Sequence, residues 1–170
     1  MKAGALVGLL LLTLGAFVVL LRPAPRSGPE PLRYGRDACT RCRMLLGEPG
    51  FAGEMRDAHG QLTRYDDIGC LIRALQRAHG ETPEAWVEDH ASHRLVPLLR
   101  ATLVSAVGST AGQIRTPMGY GIVAFADPVG ARAFAASHGA RVVALEELLR
   151  TPEELAGSGK TADQEGSPIQ

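Results

Sequence analysis

An uncharged apolar run, Ala3 to Leu21, opens the chain directly after Lys2. At a helical rise of about 1.5 Å per residue it spans roughly 28 Å, which is close to the hydrocarbon thickness of a bilayer. A cleavable signal peptide has a shorter apolar core of about 7–15 residues and a small-residue cleavage site. This run instead passes through leucines directly into Arg22. We therefore expect residues 1–21 to form an uncleaved membrane anchor, so that the remainder of the chain must supply any globular fold.

The charges on either side of this run leave its orientation open. Lys2 and the α-amino group precede it, whereas four arginines follow it within the next fifteen residues. A positive-inside count therefore favours a cytoplasmic location for the rest of the chain. A short amino-terminal segment with a single lysine is typical of export signals, which favours the opposite side of the membrane.

The remainder of the chain divides by composition into four segments. Residues 22–37 contain four prolines and several arginines and have little to bury, so they predict an extended stalk. Residues 151–170 are polar and rich in Gly and Ser, and they predict a frayed tail. Between them, residues 38–97 and 98–150 predict two small structured halves, each too short to bury much apolar surface alone.

The first half predicts the order strand–strand–helix–strand. Its helix has apolar residues at i, i+3, i+4 and i+7, it can be capped by Asp66 or Asp67, and it is expected to end at His79-Gly80. The strands are predicted over residues 51–56, 61–65 and 86–88.

The second half predicts the same order. Asp127 as a cap and Pro128 in the first helical position begin its helix, which is expected to end at His138-Gly139. The strands are predicted over residues 101–107, 119–126 and 141–145. The sequence thus predicts an α+β protein in which two similar ββαβ halves pack together, preceded by one N-terminal transmembrane helix.

Charge and motifs exclude several classes of function. Lys plus Arg and Asp plus Glu number 18 each, so the net charge is zero and nothing suggests a nucleic-acid-binding surface. The sequence contains no Gly-rich phosphate loop, no convincing Ser/His/Asp arrangement and no metalloprotease helix motif. We therefore do not expect an enzyme.

A C-x-x-C-x-M run, formed by Cys39, Cys42 and Met44, carries the clearest chemistry. Thiolate and thioether sulfurs are soft ligands, which select Cu(I) over harder divalent ions. If the run is extended like a strand, Cys42 and Met44 lie on the same face. A structural disulfide between Cys39 and Cys42, with Met44 in the core, explains the run equally well.

Other candidate ligands are separated from this run in the sequence. Met118 lies between Pro117 and Gly119, and it can complete a low-coordinate sulfur site if the halves pack face to face, although its context alone favours core packing. Cys70 lies at the predicted helix start, where the pKa of a thiol can fall, but free cysteines are more often simply buried. His93 is the stronger candidate of the two histidines between the halves.

Five sequence blocks, in order and with matching spacing over about residues 39–149, resemble the NosL family. The blocks are the C-x-x-C-x-M run and residues 51–54, 65–70, 86–89 and 116–119. NosL-type proteins are extracytoplasmic copper chaperones that bind Cu(I) and help to assemble the copper centre of nitrous oxide reductase. The resemblance implies a pair of ββαβ halves and an extracytoplasmic globular domain. It also implies a partner, either nitrous oxide reductase or its membrane maturation complex.

Carried over by position, the family's copper ligands fall on Cys42, Met44 and Met118. Cys39 can ligate copper, pair with Cys42 as a redox gate, or do neither. The chain departs from the family in two ways, since typical members are lipoproteins and their Asp-Tyr-x-Thr-Gly stretch reads Asp-His-Ala-Ser-His here, ending at His93. A contribution from that loop is therefore left open.

Two rival interpretations remain. A membrane-tethered thiol–disulfide oxidoreductase would use Cys39 and Cys42, although the C-x-x-C of a thioredoxin-type enzyme begins a helix after a strand. A zinc-stabilised interaction module would need a second C-x-x-C pair, which the sequence does not contain.

Overall fold

The computed structural model describes residues 28–78, 83–106 and 114–150. These residues form a mixed α+β protein with two antiparallel sheets, which confirms the predicted class. No helix among them is long and apolar enough to cross a bilayer. The predicted anchor, residues 1–21, and the predicted tail, residues 151–170, lie outside the described residues.

The first sheet has four strands in the order β2-β1-β3-β4. Its central strand β1 pairs with β2 in a hairpin, with Gly53 opposite Tyr65, and with β3 on its other side. The helix α1 connects β2 to β3. The elements are β1 (Gly53–Arg56), β2 (Leu62–Tyr65), α1 (Ile68–Arg77), β3 (Glu84–Glu88) and β4 (Leu95–Pro97).

The second sheet has three strands in the order β6-β5-β7, with its first strand in the centre, as in β2-β1-β3 of the first sheet. A 3-10 turn, Leu98–Arg100, connects the two sheets, and α2 connects β6 to β7. The elements are β5 (Thr102–Ser105), β6 (Ile122–Phe125), α2 (Pro128–Ser137), β7 (Arg141–Val143) and α3 (Leu145–Arg150).

Aspartate caps begin the two longer helices, as predicted. The Asp67 carboxylate accepts a hydrogen bond from the Gly69 N–H at 2.8 Å, and Asp127 accepts from Val129 and Gly130. Pro128 occupies the first turn of α2, and His138 caps its end. The predicted end of α1 at His79-Gly80 lies outside the described residues, and the structure ends this helix at Arg77.

Three elements differ from the sequence prediction. Strand β6 begins only at Ile122, because residues 116–119 form a turn. Strand β7 ends at Val143, and the helix α3 follows where the strand was expected to continue. The short strand β4 was not predicted. It pairs with β3 through Val87 and Val96 and forms one edge of the first sheet.

The larger of two hydrophobic core clusters among the described residues joins the two halves. Helix α1 packs against β1, β2, β6 and α3, so its apolar face contacts both halves. Each large apolar side chain in this core stabilises the fold by about 1.5–3 kcal/mol relative to exposure to water. The core includes Ile68, Cys70, Leu71, Val87, Leu103, Ile122, Val143 and Leu148.

Residues 28–37 pack on the first sheet, although the sequence predicted an extended stalk over 22–37. The Tyr34 hydroxyl donates to the buried Glu88 carboxylate at 2.5 Å. The Glu30 N–H donates to the buried Glu54 carboxylate at 2.9 Å. Charged and polar contacts therefore hold this part of the chain on the domain.

Candidate metal centre

The C-x-x-C-x-M run forms a tight turn rather than a strand. The Cys39 N–H donates to the Met44 carbonyl at 2.8 Å, and the Arg43 N–H donates back to the Cys39 carbonyl at 2.9 Å. Arg43 has a φ of 66°, in the left-handed region that non-glycine residues seldom adopt. The strand alternation expected for Cys42 and Met44 therefore does not apply here, because the backbone reverses between Cys39 and Met44.

Backbone hydrogen bonds fix this turn beside the start of α1. The Thr40 N–H donates to the Arg64 carbonyl in β2 at 2.8 Å. The Gly47 N–H donates to the Asp66 carboxylate, just before the helix, at 2.9 Å. The turn is thereby held at the junction of β2 and α1, which is where Cys70 lies.

Three thiols meet at this junction. The sulfur atoms of Cys39, Cys42 and Cys70 all lie within 4.8 Å of one another, and all three cysteines are free. Cys39 and Cys42 lie in the turn of residues 39–44, and Cys70 lies at the start of helix α1. The sequence prediction counted Cys39 and Cys42 among the copper ligands, whereas for Cys70 it favoured simple burial over ligation. The signal for Cys70 was its position three residues after the Asp67 cap, where the pKa of a thiol can fall.

The pKa values of the three thiols are shifted in different directions. A hydrogen bond from the Cys70 thiol lowers the pKa of Cys39 to about 4, against the opposing effect of burial, and the backbone N–H groups of Cys42 and Asp66 assist it. The pKa of Cys70 is raised, first because its proton is held against Cys39 and then because it is buried. Burial raises the pKa of Cys42. Of the three cysteines, the thiolate form is therefore favoured most at Cys39.

The sulfur atoms differ in their access to solvent. Cys39 and Cys70 are buried, Cys42 is half-buried, and the Met44 residue is 54% exposed. The site is therefore most accessible at Cys42, and its two inner thiols are shielded.

Met118 comes from the second half of the protein. It lies in a turn closed by the Gly119 N–H and the Thr116 carbonyl at 3.0 Å. Its side chain packs against the core cluster that contains Cys39 and Cys70. Its backbone N–H donates to the Asp67 carboxylate at 2.9 Å, so this predicted ligand lies on an element of the other half, next to the start of the helix that carries Cys70.

His93 lies away from the thiol cluster in the part of the chain that the structure describes. It is exposed in the turn between β3 and β4, has a φ of 56°, and lies beside Gly50. His90 contacts the Gly50 carbonyl and three phenylalanine rings. The three-residue cluster contains neither histidine, so the geometry adds nothing to the prediction that His93 ligates copper.

The donor set suits a soft metal ion of low coordination number. Thiolates prefer Cu(I), zinc or iron–sulfur clusters over hard cations. Structural zinc sites almost always have four protein ligands, whereas this cluster supplies three thiols. The cluster is therefore compatible with copper binding.

Fold and site together define a small α+β protein with a cluster of three free thiols, all in its first half, that is compatible with copper binding. The model of the NosL family matches residues 34–152. This match spans well over half of the chain, so the protein belongs to the NosL family, as the five sequence blocks predicted.

One solved structure supports the fold directly. The crystal structure of the copper chaperone NosL from Shewanella denitrificans is 21% identical to this chain, with a TM-score of 0.61. The match covers 72% of this chain and 96% of that chain. At this identity the likeness shows the shared fold. The curated proteins contain no match to this chain.

Proposed function

We propose that this protein is a membrane-anchored Cu(I) chaperone, without enzymatic activity of its own. The observation that carries the proposal is the cluster of Cys39, Cys42 and Cys70, with their sulfur atoms within 4.8 Å of one another. Membership of the NosL family supports it, since the related protein from Shewanella denitrificans is described as a copper chaperone.

The gradient of burial across the sulfur atoms supports a carrier role. A Cu(I) ion held by the inner thiols is shielded from solvent, while the half-buried Cys42 remains in reach of a partner's ligands. Met44, two residues after Cys42 in the sequence, is exposed and offers a weak, neutral thioether as a further donor. Copper can then enter and leave by exchange of one sulfur ligand at a time, with no net chemistry.

The recipient in this proposal is nitrous oxide reductase or the membrane complex that matures it. That assignment rests on the family resemblance, as does an extracytoplasmic orientation of the globular domain. The apolar run of residues 1–21 supports the membrane anchor, since its length fits a bilayer.

A thiol–disulfide oxidoreductase is the second candidate, and the low pKa of Cys39 is the observation that favours it. A redox enzyme needs its thiolate at the surface to attack a substrate disulfide. Cys39 is fully buried, whereas the accessible Cys42 has a raised pKa. The distribution of charge and access therefore supports a metal-holding thiolate better than an attacking one.

An anaerobic titration of the reduced, full-length protein in detergent with Cu(I) and a competing chelator tests the proposal. We expect one tightly bound ion, with affinity falling by more than about tenfold in Cys42→Ser and in Cys70→Ser. A Met118→Leu variant removes the sulfur but keeps the volume of the side chain, and it should also bind more weakly. Met55→Leu is its matched control, because Met55 packs on the core from β1.

The titration separates the two candidates. Weak binding, or binding that ignores all the sulfur substitutions, would contradict the chaperone. In that case turnover of a disulfide substrate that depends on Cys39 and Cys42 would support the oxidoreductase.

A further inference from the structure

One buried carboxylate connects the two sides of the metal centre. Asp67 is completely buried, and its Oδ1 accepts a hydrogen bond from the Gly69 N–H at 2.8 Å at the start of α1. Its Oδ2 accepts from the Thr116 hydroxyl at 2.6 Å and from the Met118 N–H at 2.9 Å. The same side chain therefore binds the helix that carries Cys70 and the turn that carries Met118.

The turn depends on this external acceptor. Residues 116–119 form a β-turn whose own hydrogen bond uses the Gly119 N–H, so the Met118 N–H points to a partner outside the turn. Asp67 is that partner. The Thr116 hydroxyl, which donates to Asp67, also accepts from the Gly121 N–H at 3.2 Å, so the segment after the turn is connected to Asp67 through Thr116.

The segment that follows the turn packs closely against the helix next to Asp67. A Cβ atom placed on Gly69 would lie 2.0 Å from Cγ of Tyr120. The segment that follows the turn thus already touches the backbone of α1, which prevents it from moving further inward. The hydrogen bonds of Asp67 prevent it from moving outward.

We propose that Asp67 is a positioning residue for copper, which fixes the Met118 thioether against the three thiols so that it can serve as a ligand from the second half. The inference rests on the copper-binding function proposed above. Asp67 does not touch the metal in this scheme, and it acts through Met118.

An Asp67→Asn variant isolates this role. Asparagine caps a helix as well as aspartate does, and its one carbonyl oxygen can still accept from Gly69. Its NH2 group cannot accept from the Thr116 hydroxyl or the Met118 N–H. The substitution should therefore release the turn while leaving the start of α1, and Cys70, in place.

The test is a cycle of Cu(I) affinities for the full-length protein in detergent: parent, Asp67→Asn, Met118→Leu and the double variant. We expect each single variant to lose about tenfold or more in affinity, as for other residues that orient metal ligands. The double variant should bind within about twofold of the weaker single variant, because both changes remove the same ligand. X-ray absorption at copper should show the same loss of sulfur ligation in Asp67→Asn and Met118→Leu.

Two comparisons distinguish positioning from a general structural effect. Asp89 is another buried carboxylate that joins the halves, because it accepts from the Ser92 N–H of its own half and from the Ala126 N–H of the second half, each at 2.9 Å. Asp89→Asn should lower the unfolding temperature but leave the affinity for copper unchanged. Thr116→Val should weaken copper binding and Thr116→Ser should preserve it, which keeps the proposal testable if Asp67→Asn fails to fold.

Three outcomes would overturn the proposal. Parent-like affinity in Asp67→Asn would remove its premise, and so would losses that simply add in the double variant. An equal loss of affinity in Asp89→Asn would mean that any weakening of the fold has the same effect. In each of these outcomes the parent still binds Cu(I), whereas a parent that fails to bind Cu(I) removes the chaperone function itself, so the two failures are distinguishable.

Discussion

Replacing Gly69 by alanine adds one carbon at the point where the two halves meet. Gly69 is the second residue of α1. Helix propensity alone would make alanine more stable than glycine there by about 0.5–1 kcal/mol, because glycine loses more backbone entropy on folding than alanine does. The structure opposes that gain. The added Cβ would lie 2.0 Å from Cγ and 2.3 Å from Cβ of Tyr120, which are atoms close to the backbone that no rotation of the ring can move away.

The expected result is a net loss of stability. Overpacking a well-filled site costs about 1–3 kcal/mol, and a contact this short belongs at the upper end of that range. After subtracting the gain in helix propensity, we expect Gly69→Ala to lower the free energy of unfolding by about 2 kcal/mol.

Urea unfolding of the metal-free protein measures this loss. The chain has a single tryptophan, Trp86, which lies buried in β3 and reports unfolding by fluorescence. Gly130→Ala in α2 is the matched control, because its Cβ would meet Asp127 and Phe125 only at 3.5 and 3.9 Å. We expect the control to be more stable than the parent by about 0.5–1 kcal/mol.

A double substitution identifies the cause. In a Tyr120→Gly background the obstructing atoms are absent, so Gly69→Ala should become neutral or slightly stabilising. The reasoning is refuted if Gly69→Ala matches or exceeds the stability of the parent, or if it costs the same with Tyr120 removed.

Two further predictions concern single interactions. The thiolate absorbance of metal-free protein should persist from neutral pH down to about 4, where Cys39 takes up a proton. Cys70→Ala removes the donated hydrogen bond, so the absorbance should vanish at a higher pH, and an unchanged midpoint would contradict the shared proton. Tyr34→Phe removes the hydrogen bond to the buried Glu88 and should lower the free energy of unfolding by about 1.5–3 kcal/mol, since the acceptor is a carboxylate. Unchanged stability there would mean that the hydrogen bond from Tyr34 to Glu88 contributes nothing to the fold.

Local signals in the sequence predicted much of the fold. The caps at Asp67 and Asp127 placed the starts of both longer helices, because capping depends only on neighbouring residues. Helix α3 was missed, although the apolar positions 145, 148 and 149 carry a helical period. A pattern over only six residues is weak evidence for a helix, and the preceding β-branched residues Val142 and Val143 favour a strand.

The candidate site was only partly predictable, because it depends on contacts between distant segments. Cys70 joins Cys39 and Cys42 only because the turn of residues 39–44 folds against the start of α1. That turn needs a left-handed backbone at Arg43. Glycine is the usual sequence signal for such a conformation, and an arginine at this position does not indicate it. Asp37 was missed as a buried residue for a similar reason, since its ion pairs with Arg33 and Arg64 form only in the folded protein.

The packing of residues 28–37 on the first sheet also limits how far the protein can reach. If residues 1–21 cross a membrane as predicted, only six residues, 22–27, separate the bilayer from the packed part of the chain. Six fully extended residues measure at most about 20 Å. Such a short linker would keep the sulfur site close to the lipid surface. Its effective concentration toward other membrane-bound proteins would be high there. Copper would then pass between neighbours that meet by lateral diffusion, and a recipient free in solution would have to come to the membrane to collect it.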